Sequence, residues 1–214
     1  MKKFDFNTIE NFDDHIDKSI PNYNYLIENI IGLSDYFLEK ESIVYDLGCS
    51  TGKLLRQLSK ETKKIGIDIA ELLPKENDKG NNIEYKNQDL NKNFKISNAS
   101  IVYSIFTMQF LKRPCRKDYI KNIYDGLNTG AALILCEKIY QKEGLFQEII
   151  AFTHYDYKCR NFSEKEIIAK ERDLRYIMKP DTLEENISML KAAGFTKITQ
   201  FWQSYNFIGL IAIK

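Results

Sequence analysis

The feature of this sequence that most constrains its fold is a short apolar segment that runs directly into a turn containing two glycines. Residues Ile43–Leu47 show no polar alternation, which is typical of a strand buried on both faces of a parallel sheet. Gly48 and Gly52 follow four residues apart, and Asp46 stands just ahead of the first glycine. A helix is predicted to begin near Thr51, with apolar residues at helical spacing: Leu54, Leu55 and Leu58.

The chemistry of this turn favours a cationic adenosyl ligand over a dinucleotide. A dinucleotide site needs G-x-G-x-x-G so that the backbone can approach a pyrophosphate, whereas here the glycines read G-x-x-x-G behind Asp46. An acidic turn repels a diphosphate and suits the ammonium of a methionine moiety. Asp68, at the end of a second predicted strand, can accept hydrogen bonds from both hydroxyls of a ribose. With Asp89 after the third strand, these residues predict a pocket for an adenosyl cofactor; the turn alone also fits another α/β protein.

Strands and helices alternate along most of the chain. The pattern predicts seven strands, near residues 43–47, 64–69, 83–87, 100–106, 132–138, 198–205 and 207–214. Such alternation predicts a single α/β domain over 1–214, with a mostly parallel, doubly wound sheet that ends in a β-hairpin. Helices are predicted over about 23–38 and 114–127, and Thr182 begins a capping box that opens another helix ending at Gly194.

The alternation breaks between residues 140 and 178. Eleven of the 21 residues from 156 to 176 are charged. We therefore expect a solvated helical cap inserted over the edge of the sheet, and no membrane element. We also expect this cap to be the surface through which the chain forms a homodimer.

The composition limits which binding partners and which cellular compartment are expected for this chain. Lys and Arg total 31 against 30 for Asp and Glu, so the net charge provides no general attraction to nucleic acid. We therefore expect no direct binding of nucleic acid. The four cysteines show no C-x-x-C, and the two histidines lack metal-ligand companions, so no disulfide and no metal are expected. The start of the chain has no apolar leader and no segment reaches transmembrane length, which favours a cytoplasmic protein.

A family resemblance runs in order along nearly the whole chain. It rests on these segments: Lys18–Tyr23, Tyr45–Ser50, Phe106–Leu111, Glu137–Lys138, Ser163–Ile167 and Asn206–Phe207. They resemble the carboxy-S-adenosylmethionine synthase family, within the class I S-adenosylmethionine-dependent methyltransferases and their Rossmann-like fold. Members take S-adenosylmethionine and prephenate and make carboxy-S-adenosylmethionine, and a partner enzyme uses that product to carboxymethylate the wobble uridine of tRNA.

The resemblance implies where the cofactor lies. It implies that Tyr23 contacts the methionine end of the cofactor and that the glycine turn lies beneath that end. It also implies that Asp68 binds the ribose and that Asp89 accepts a hydrogen bond from the exocyclic amine of adenine. S-adenosyl-L-methionine is the expected cofactor, with S-adenosylhomocysteine or carboxy-S-adenosylmethionine as alternative bound ligands. The full set of expected cofactor-binding residues is Tyr23, Asp46, Gly48, Cys49, Ser50, Gly52, Asp68, Ile69, Asp89, Leu90 and Ile105.

Two positions depart from the family pattern. Ile105 stands where the family has Asn, and Glu171 stands where the family has the Arg that anchors the extra carboxylate of its product. Arg172 comes one residue later, and one residue along a helix rotates a side chain by roughly 100°. A carboxylate at position 171 that faces the pocket is expected to repel an anionic ligand.

Three functions remain open from the sequence. The first, and the one we favour, is methyl transfer to a small-molecule acceptor, which needs mainly alignment and exclusion of water. The second is a true carboxy-S-adenosylmethionine synthase in which Arg172 has become the anchor. The third is a non-catalytic cofactor-binding subunit whose acceptor side is closed. The candidate catalytic residues are His154, Tyr155 and Arg172.

Overall fold

A computed structural model describes residues 12–214, without the side chain of Phe12. The start of the chain, in which the sequence shows no apolar leader, lies outside the described residues. The strands are β1 (Ile43–Leu47), β2 (Lys63–Asp68), β3 (Ile83–Asn87), β4 (Ala99–Ile105), β5 (Leu127–Tyr140), β6 (Asp181–Thr182), β7 (Lys197–Ser204) and β8 (Phe207–Ile213). The α-helices are α1 (Phe12–Ser19), α2 (Tyr23–Ser34), α3 (Lys53–Gln57), α4 (Arg116–Gly126), α5 (Gly144–Lys158), α6 (Glu164–Ile177) and α7 (Leu183–Ala193).

One mostly parallel sheet organises these elements, in the order β3-β2-β1-β4-β5-β8-β7. The first five strands pair in parallel, while β8 runs antiparallel to both β5 and β7. The strand order reverses between β1 and β4, and a doubly wound sheet opens a crevice for ligands at such a point. The predicted fold class and the C-terminal hairpin are therefore confirmed.

The strand count differs from the expected seven. Among the described residues there is an eighth strand, β6, which pairs its two residues with Ile139 and Tyr140 of β5. Two residues carry no periodicity, so nothing in the sequence marks β6 as a strand. Thr182 also begins α7, and its capping box with Glu185 forms as predicted, with Gly194 at the end of the helix.

Helices cover both faces of the sheet. On one face α4 and α7 contribute buried apolar side chains, among them Tyr119, Ile120, Ile123 and Leu190. On the other face α2 and α3 do the same, among them Leu26, Ile30, Leu54 and Leu55. Helix α2 ends at Ser34, earlier than predicted, where the Ser34 hydroxyl donates to the carbonyl of Ile30 and lies 2.6 Å from the Tyr103 hydroxyl.

Helices α5 and α6 form the cap, in the stretch where the alternation of strands and helices breaks. Ser163 opens α6 with a capping box to Glu166. Lys158 of α5 bonds Glu171 of α6 at 2.7 Å, which ties the two cap helices together. Lys170 contacts His15 and bonds the Ser19 hydroxyl at 3.2 Å, which ties the cap to α1. Within residues 12–214, no helix has both the length and the apolar composition needed to span a bilayer.

Candidate functional site

A cavity of about 510 Å³ lies over the carboxyl ends of the parallel strands, between α1 and the cap. Its walls come from the turn after β1, the segments after β2, β3 and β4, and the inner sides of α5 and α6. This volume lies within the range of small-molecule sites. The cavity stands where the strand order reverses, so its position and its size both indicate a ligand site.

Gly48 shapes the floor of this cavity. Its φ is +81°, and its N–H donates to the carbonyl of Ile67 at 2.7 Å. A Cβ at this position would lie 2.1 Å from Oγ1 of Thr107, so both the conformation and the space require glycine.

Gly52 has a different role from the expected one. It does not line the cavity, and a Cβ there would lie 2.3 Å from the hydroxyl oxygen of Tyr85. The second glycine of the turn therefore makes room for a tyrosine packed beneath the site. Of the residues expected to bind the cofactor, Gly52 is thus the one that the cavity wall does not include.

Asp68 is oriented by two backbone amides. Its Oδ2 accepts from the N–H of Ser50 at 2.8 Å, and its Oδ1 accepts from the N–H of Ala70 at 2.8 Å. Each carboxylate oxygen has two acceptor sites, so each keeps one for a ligand hydroxyl. The side chain is thus held in a position that suits the two hydroxyls of a ribose.

Asp46 brings a second carboxylate to the cavity at the end of β1. It is 4% exposed, and burial together with nearby Asp68 raises its pKa to about 8. Tyr23 lies close to it across the cavity wall, and burial raises the pKa of that tyrosine, so its hydroxyl stays neutral. A cationic group bound between them would lower the pKa of Asp46 again and become its counter-ion.

The segment after β3 forms the end of the cavity expected to hold adenine. The Oδ1 of Asp89 accepts from the backbone N–H of Asn91 at 2.9 Å and from its side-chain amide at 3.0 Å. These hydrogen bonds lower the pKa of Asp89, so it is an ionised acceptor. Ile69 and Leu90 add apolar surface to the cavity wall.

The cavity brings together ten of the eleven residues expected to bind the cofactor: Tyr23, Asp46, Gly48, Cys49, Ser50, Asp68, Ile69, Asp89, Leu90 and Ile105. Within residues 12–214 the buried Oγ of Ser50 has no hydrogen-bond partner, although the residue lines the cavity. An orphaned hydroxyl, a glycine floor that a Cβ would fill, and two carboxylates at the strand ends fit an adenosyl sulfonium with its amino-acid tail.

His154 lines the cavity from α5, as a catalytic candidate should. However, its Nε2 lies 2.9 Å from the carbonyl oxygen of Ser19 and therefore donates to it. Burial lowers the pKa of the imidazole to about 4, so it is neutral near pH 7. Its ring also stacks on Tyr205, with centroids 5.5 Å apart. These contacts make His154 a link between the cap, the hairpin and the end of α1.

Tyr155 and Arg172, the other two catalytic candidates, do not line the cavity. Tyr155 follows His154 on α5, so it is rotated by about 100° and packs against Phe152, under the ammonium group of Lys158. Arg172 is exposed on α6, one residue past Glu171, which does line the cavity. This position gives no support to the hypothesis that Arg172 has become the anchor.

Two lysine side chains, Lys138 and Lys158, lie close to Glu171 in the cavity wall. Its Oε1 accepts from the Nζ of Lys158 at 2.7 Å, and its Oε2 lies 3.9 Å from the Nζ of Lys138. Burial opposes ionisation, but the two lysines hold the pKa of Glu171 below its usual range. The repulsion expected from this carboxylate is thus partly compensated. No local pattern predicts that these lysines face Glu171, because they come from β5 and α5 and meet α6 only in the fold.

The connection after β4 is held by a buried carboxylate. Glu137 accepts from the N–H of Met108 at 2.9 Å and from the N–H of Gln109 at 2.7 Å. The side-chain oxygen of Gln109 in turn accepts from the N–H of Lys138 at 2.7 Å. Glu137 therefore lies beneath the site and positions the turn that carries Thr107.

Comparison with known proteins agrees with this geometry. A family model described as "Methyltransferase domain" matches residues 44–130. A carboxy-S-adenosyl-L-methionine synthase of Staphylococcus epidermidis is 37% identical, over 97% of this chain and 94% of that protein. One of Shewanella pealeana is 35% identical, over 99% of this chain and 92% of that protein.

This chain belongs to the carboxy-S-adenosyl-L-methionine synthase family. Within that family it is a transferase that depends on S-adenosylmethionine. Among solved structures, human N-acetylserotonin methyltransferase in complex with SAM matches with a TM-score of 0.54 and 15% identity, over 80% of this chain and 47% of that one. The methyltransferase SibL in its apo form matches with a TM-score of 0.58 and 10% identity, over 89% of this chain and 55% of that one. At these identities the two structures support the class I methyltransferase fold and nothing finer.

Proposed function

We propose that this chain transfers the methyl group of S-adenosylmethionine to a small-molecule acceptor. The observation that carries this proposal is the ionised Glu171 in the cavity wall, where the family resemblance implies an arginine. An arginine there would hold an extra carboxylate on the cofactor. A glutamate there favours a sulfonium cation and disfavours the carboxylated form.

Each end of the cavity has a separate task in this reaction. Asp68 and Asp89 hold the nucleoside, and Asp46 with Tyr23 takes the charged amino-acid end. S-adenosylmethionine, when bound, supplies a methyl group on a sulfonium that is already electrophilic, so the protein needs chiefly to align an acceptor and exclude water. His154 and Lys170 serve that exclusion, because their bonds to Ser19 close α1 against the cap.

A second candidate function is carboxy-S-adenosylmethionine synthesis. It is favoured by the printed names of the relatives and by three lysines that face the cavity at the cap: Lys138, Lys158 and Lys170. They offer cations for an anionic co-substrate even without the family's arginine. A non-catalytic role is disfavoured, since the cavity extends past the cofactor residues to the cap.

Calorimetry with two ligands tests the choice. We expect the wild-type protein to bind S-adenosylmethionine at least about tenfold more tightly than carboxy-S-adenosylmethionine, because the ionised carboxylate of Glu171 faces the added charge. Glu171→Arg should move this ratio toward the carboxylated ligand, and Arg172→Gln, on the exposed side of α6, should leave it unchanged. Tighter binding of carboxy-S-adenosylmethionine by the wild-type protein would overturn the proposal in favour of the synthase.

A further inference from the structure

An aromatic residue follows β4 on a strained backbone. Phe106 has a φ of +54°, in the left-handed region that a bulky side chain rarely adopts. Contacts to β5 fix this conformation. The N–H of Phe106 donates to the carbonyl of Cys136 at 2.7 Å, and the carboxylate of Glu137 accepts from the N–H groups of Met108 and Gln109. Strain of this kind persists where the surrounding structure imposes it, and it is concentrated at functional sites.

The ring of Phe106 lies in the wall of the cavity. Its centroid is 6.4 Å from that of Tyr23, at an interplanar angle of 37°, and 5.6 Å from that of Phe207, at 83°. These three rings all line the cavity, and we call them the aromatic wall. Phe207 in turn contacts the ring of His154 in the cap, with centroids 5.3 Å apart. The aromatic wall therefore extends from the methionine end of the cavity to the cap.

The order of the strands indicates which part of the cofactor faces this wall. The proposed sites for adenine, ribose and the amino-acid end lie at the ends of β3, β2 and β1, which are neighbours in the sheet, and β4 lies on the other side of β1. The sulfur joins the ribose to the amino-acid chain, so it is expected over the end of β1. Thr107 leaves no room for a Cβ on Gly48, so the residues after β4 touch the glycine turn. Neighbouring strands are about 4.8 Å apart, which places Phe106 about one strand spacing from the sulfur.

This sulfur carries a positive charge in S-adenosylmethionine. The face of an aromatic ring attracts a cation that lies within about 6 Å of its centroid, and the attraction is stronger where water is excluded. The aromatic wall already has one such contact at its cap end, where the Nζ of Lys138 lies 5.9 Å from the centroid of Phe207. A sulfonium one strand spacing from Phe106 lies within the same range.

We propose that Phe106 is a specificity-determining residue whose ring, supported by Tyr23 and Phe207, recognises the positive charge of the cofactor sulfur. The protein thereby distinguishes the sulfonium of S-adenosylmethionine from the neutral thioether of S-adenosylhomocysteine. When the methyl group is transferred, the bonding electron pair stays on the sulfur and the charge disappears, so the spent cofactor no longer has this attraction. The inference rests on the cofactor of the proposed function and is independent of the acceptor, because both candidate reactions start from the same sulfonium.

Calorimetry with the charged and the neutral cofactor tests this role. We expect the wild-type protein to bind S-adenosylmethionine at least about threefold more tightly than S-adenosylhomocysteine. Phe106→Leu keeps an apolar side chain, so it should weaken S-adenosylmethionine about three- to thirtyfold and S-adenosylhomocysteine less than about twofold. The matched control is Phe201→Leu, at a half-buried phenylalanine outside the cavity, which should leave the ratio of the two affinities unchanged.

Three results of this calorimetry would overturn the inference. The first is an equal loss of both affinities in Phe106→Leu, because the ring would then serve packing alone. The second is no loss of either affinity, because the ring would then not contact the cofactor. The third is a wild-type protein that binds both cofactors equally tightly.

A fluorinated ring separates charge recognition from shape. Site-specific replacement of Phe106 by 3,4,5-trifluorophenylalanine retains the ring and weakens the negative potential of its face. The affinity for S-adenosylmethionine should fall, while the affinity for S-adenosylhomocysteine should stay at its wild-type value. An unchanged ratio of the two affinities would show that the ring acts through its shape, which contradicts the proposal.

Two further variants test the strained backbone that presents the ring. Phe106→Gly and Phe106→Ala both remove the ring, so both should have the same reduced preference for S-adenosylmethionine. Glycine adopts a positive φ without a steric penalty and alanine does not, so Phe106→Gly should melt at the higher temperature, the reverse of the order at an ordinary position. A higher melting temperature for Phe106→Ala would contradict the conformation on which the placement of the ring depends.

Failure of the proposed function gives a different result. If carboxy-S-adenosylmethionine accumulates from S-adenosylmethionine and prephenate, the acceptor assignment fails. The ratio of the two cofactor affinities in Phe106→Leu still decides whether the ring recognises the charge.

Discussion

At the scale of single residues, the site depends on which way each carboxylate faces and what holds it there. Asp68 is fixed by the N–H groups of Ser50 and Ala70 and keeps an acceptor site on each oxygen. In the part of the chain that the structure describes, no such pair of amides holds Asp46, which is buried with a raised pKa. Asp68 can therefore accept hydrogen bonds from neutral hydroxyls, whereas a bound cation would favour the ionised form of Asp46.

Replacing Asp68 should separate ligand binding from folding. Asp68→Ala removes a charged acceptor of two hydroxyls, so the affinity for S-adenosylhomocysteine should fall by about 1.5–3 kcal/mol, roughly ten- to hundredfold. Titration calorimetry measures it, with the exposed Asp125→Ala as a control. Unchanged affinity in Asp68→Ala would show that the ribose lies elsewhere.

Asp46 should make the stability of the ligand-free protein depend on pH. Its pKa is raised from an ordinary 3.8 to about 8 in the fold, so the native state binds the extra proton between these values. Its contribution to stability is therefore complete below about pH 4 and is lost as the pH rises through about 8. Asp46→Asn should flatten this fall by roughly 1–3 kcal/mol in pH-dependent unfolding, against wild type. Parallel curves for the two proteins would rule out the raised pKa.

Single residues also show where sequence reasoning succeeds and where it stops. The glycine turn, the strand-end acids and the Thr182 capping box are local patterns, and the structure has each of them where it was predicted. The direction of Arg172 was undecided, because a shift in helix register moves a side chain from the cavity to solvent. The lysines of the cap come from separate elements, so only the fold brings them together.

At the scale of elements, the cap is held differently from the sheet. Strand β1 is buried from Val44 to Leu47, whereas the buried residues of α5 are His154 and Lys158, and α6 buries Ile167. Few buried apolar contacts mean low local stability. Hydrogen bonds and ion pairs, to α1 and between the two cap helices, therefore contribute much of what holds the cap in place.

Hydrogen exchange should show this difference. Without ligand, amides of α5 and α6 should exchange at least about tenfold faster than those of β1, since opening the cap breaks few apolar contacts. With S-adenosylhomocysteine bound, the cap should become more protected. Equal protection of the cap and β1, with and without ligand, would argue against a mobile lid.

The outer face of α5 supports our proposal that the cap forms a homodimer. It exposes four large apolar side chains, which are between 52% and 68% accessible: Leu145, Phe146, Ile149 and Phe152. An apolar patch of this kind on a helix marks an interaction surface. Light scattering should give a dimer for the wild-type protein and a monomer for Ile149→Asp with Phe152→Asp. A wild-type monomer at about 100 µM would contradict the proposal.

At the scale of the whole molecule, the fold places two chemically different ends in one cavity. The ends of β1 and β2 place carboxylates at the part of the cavity proposed for the cationic cofactor. The cap and β5 place lysines and one glutamate at the opposite part, beyond the cofactor residues. The fold class was predictable because β–α alternation extends along most of the chain. The reaction was not, because it depends on the balance of charge where three separate elements meet.

Mass analysis of the nucleosides formed from S-adenosylmethionine and prephenate distinguishes methyl transfer from carboxy-S-adenosylmethionine synthesis. The synthase of Staphylococcus epidermidis, run in parallel, is the positive control. Because Glu171 lies in the cavity wall and Arg172 is turned to solvent, we predict that S-adenosylmethionine remains unchanged and that carboxy-S-adenosylmethionine does not accumulate. Carboxy-S-adenosylmethionine accumulating over many turnovers would contradict the methyltransferase assignment and establish the synthase.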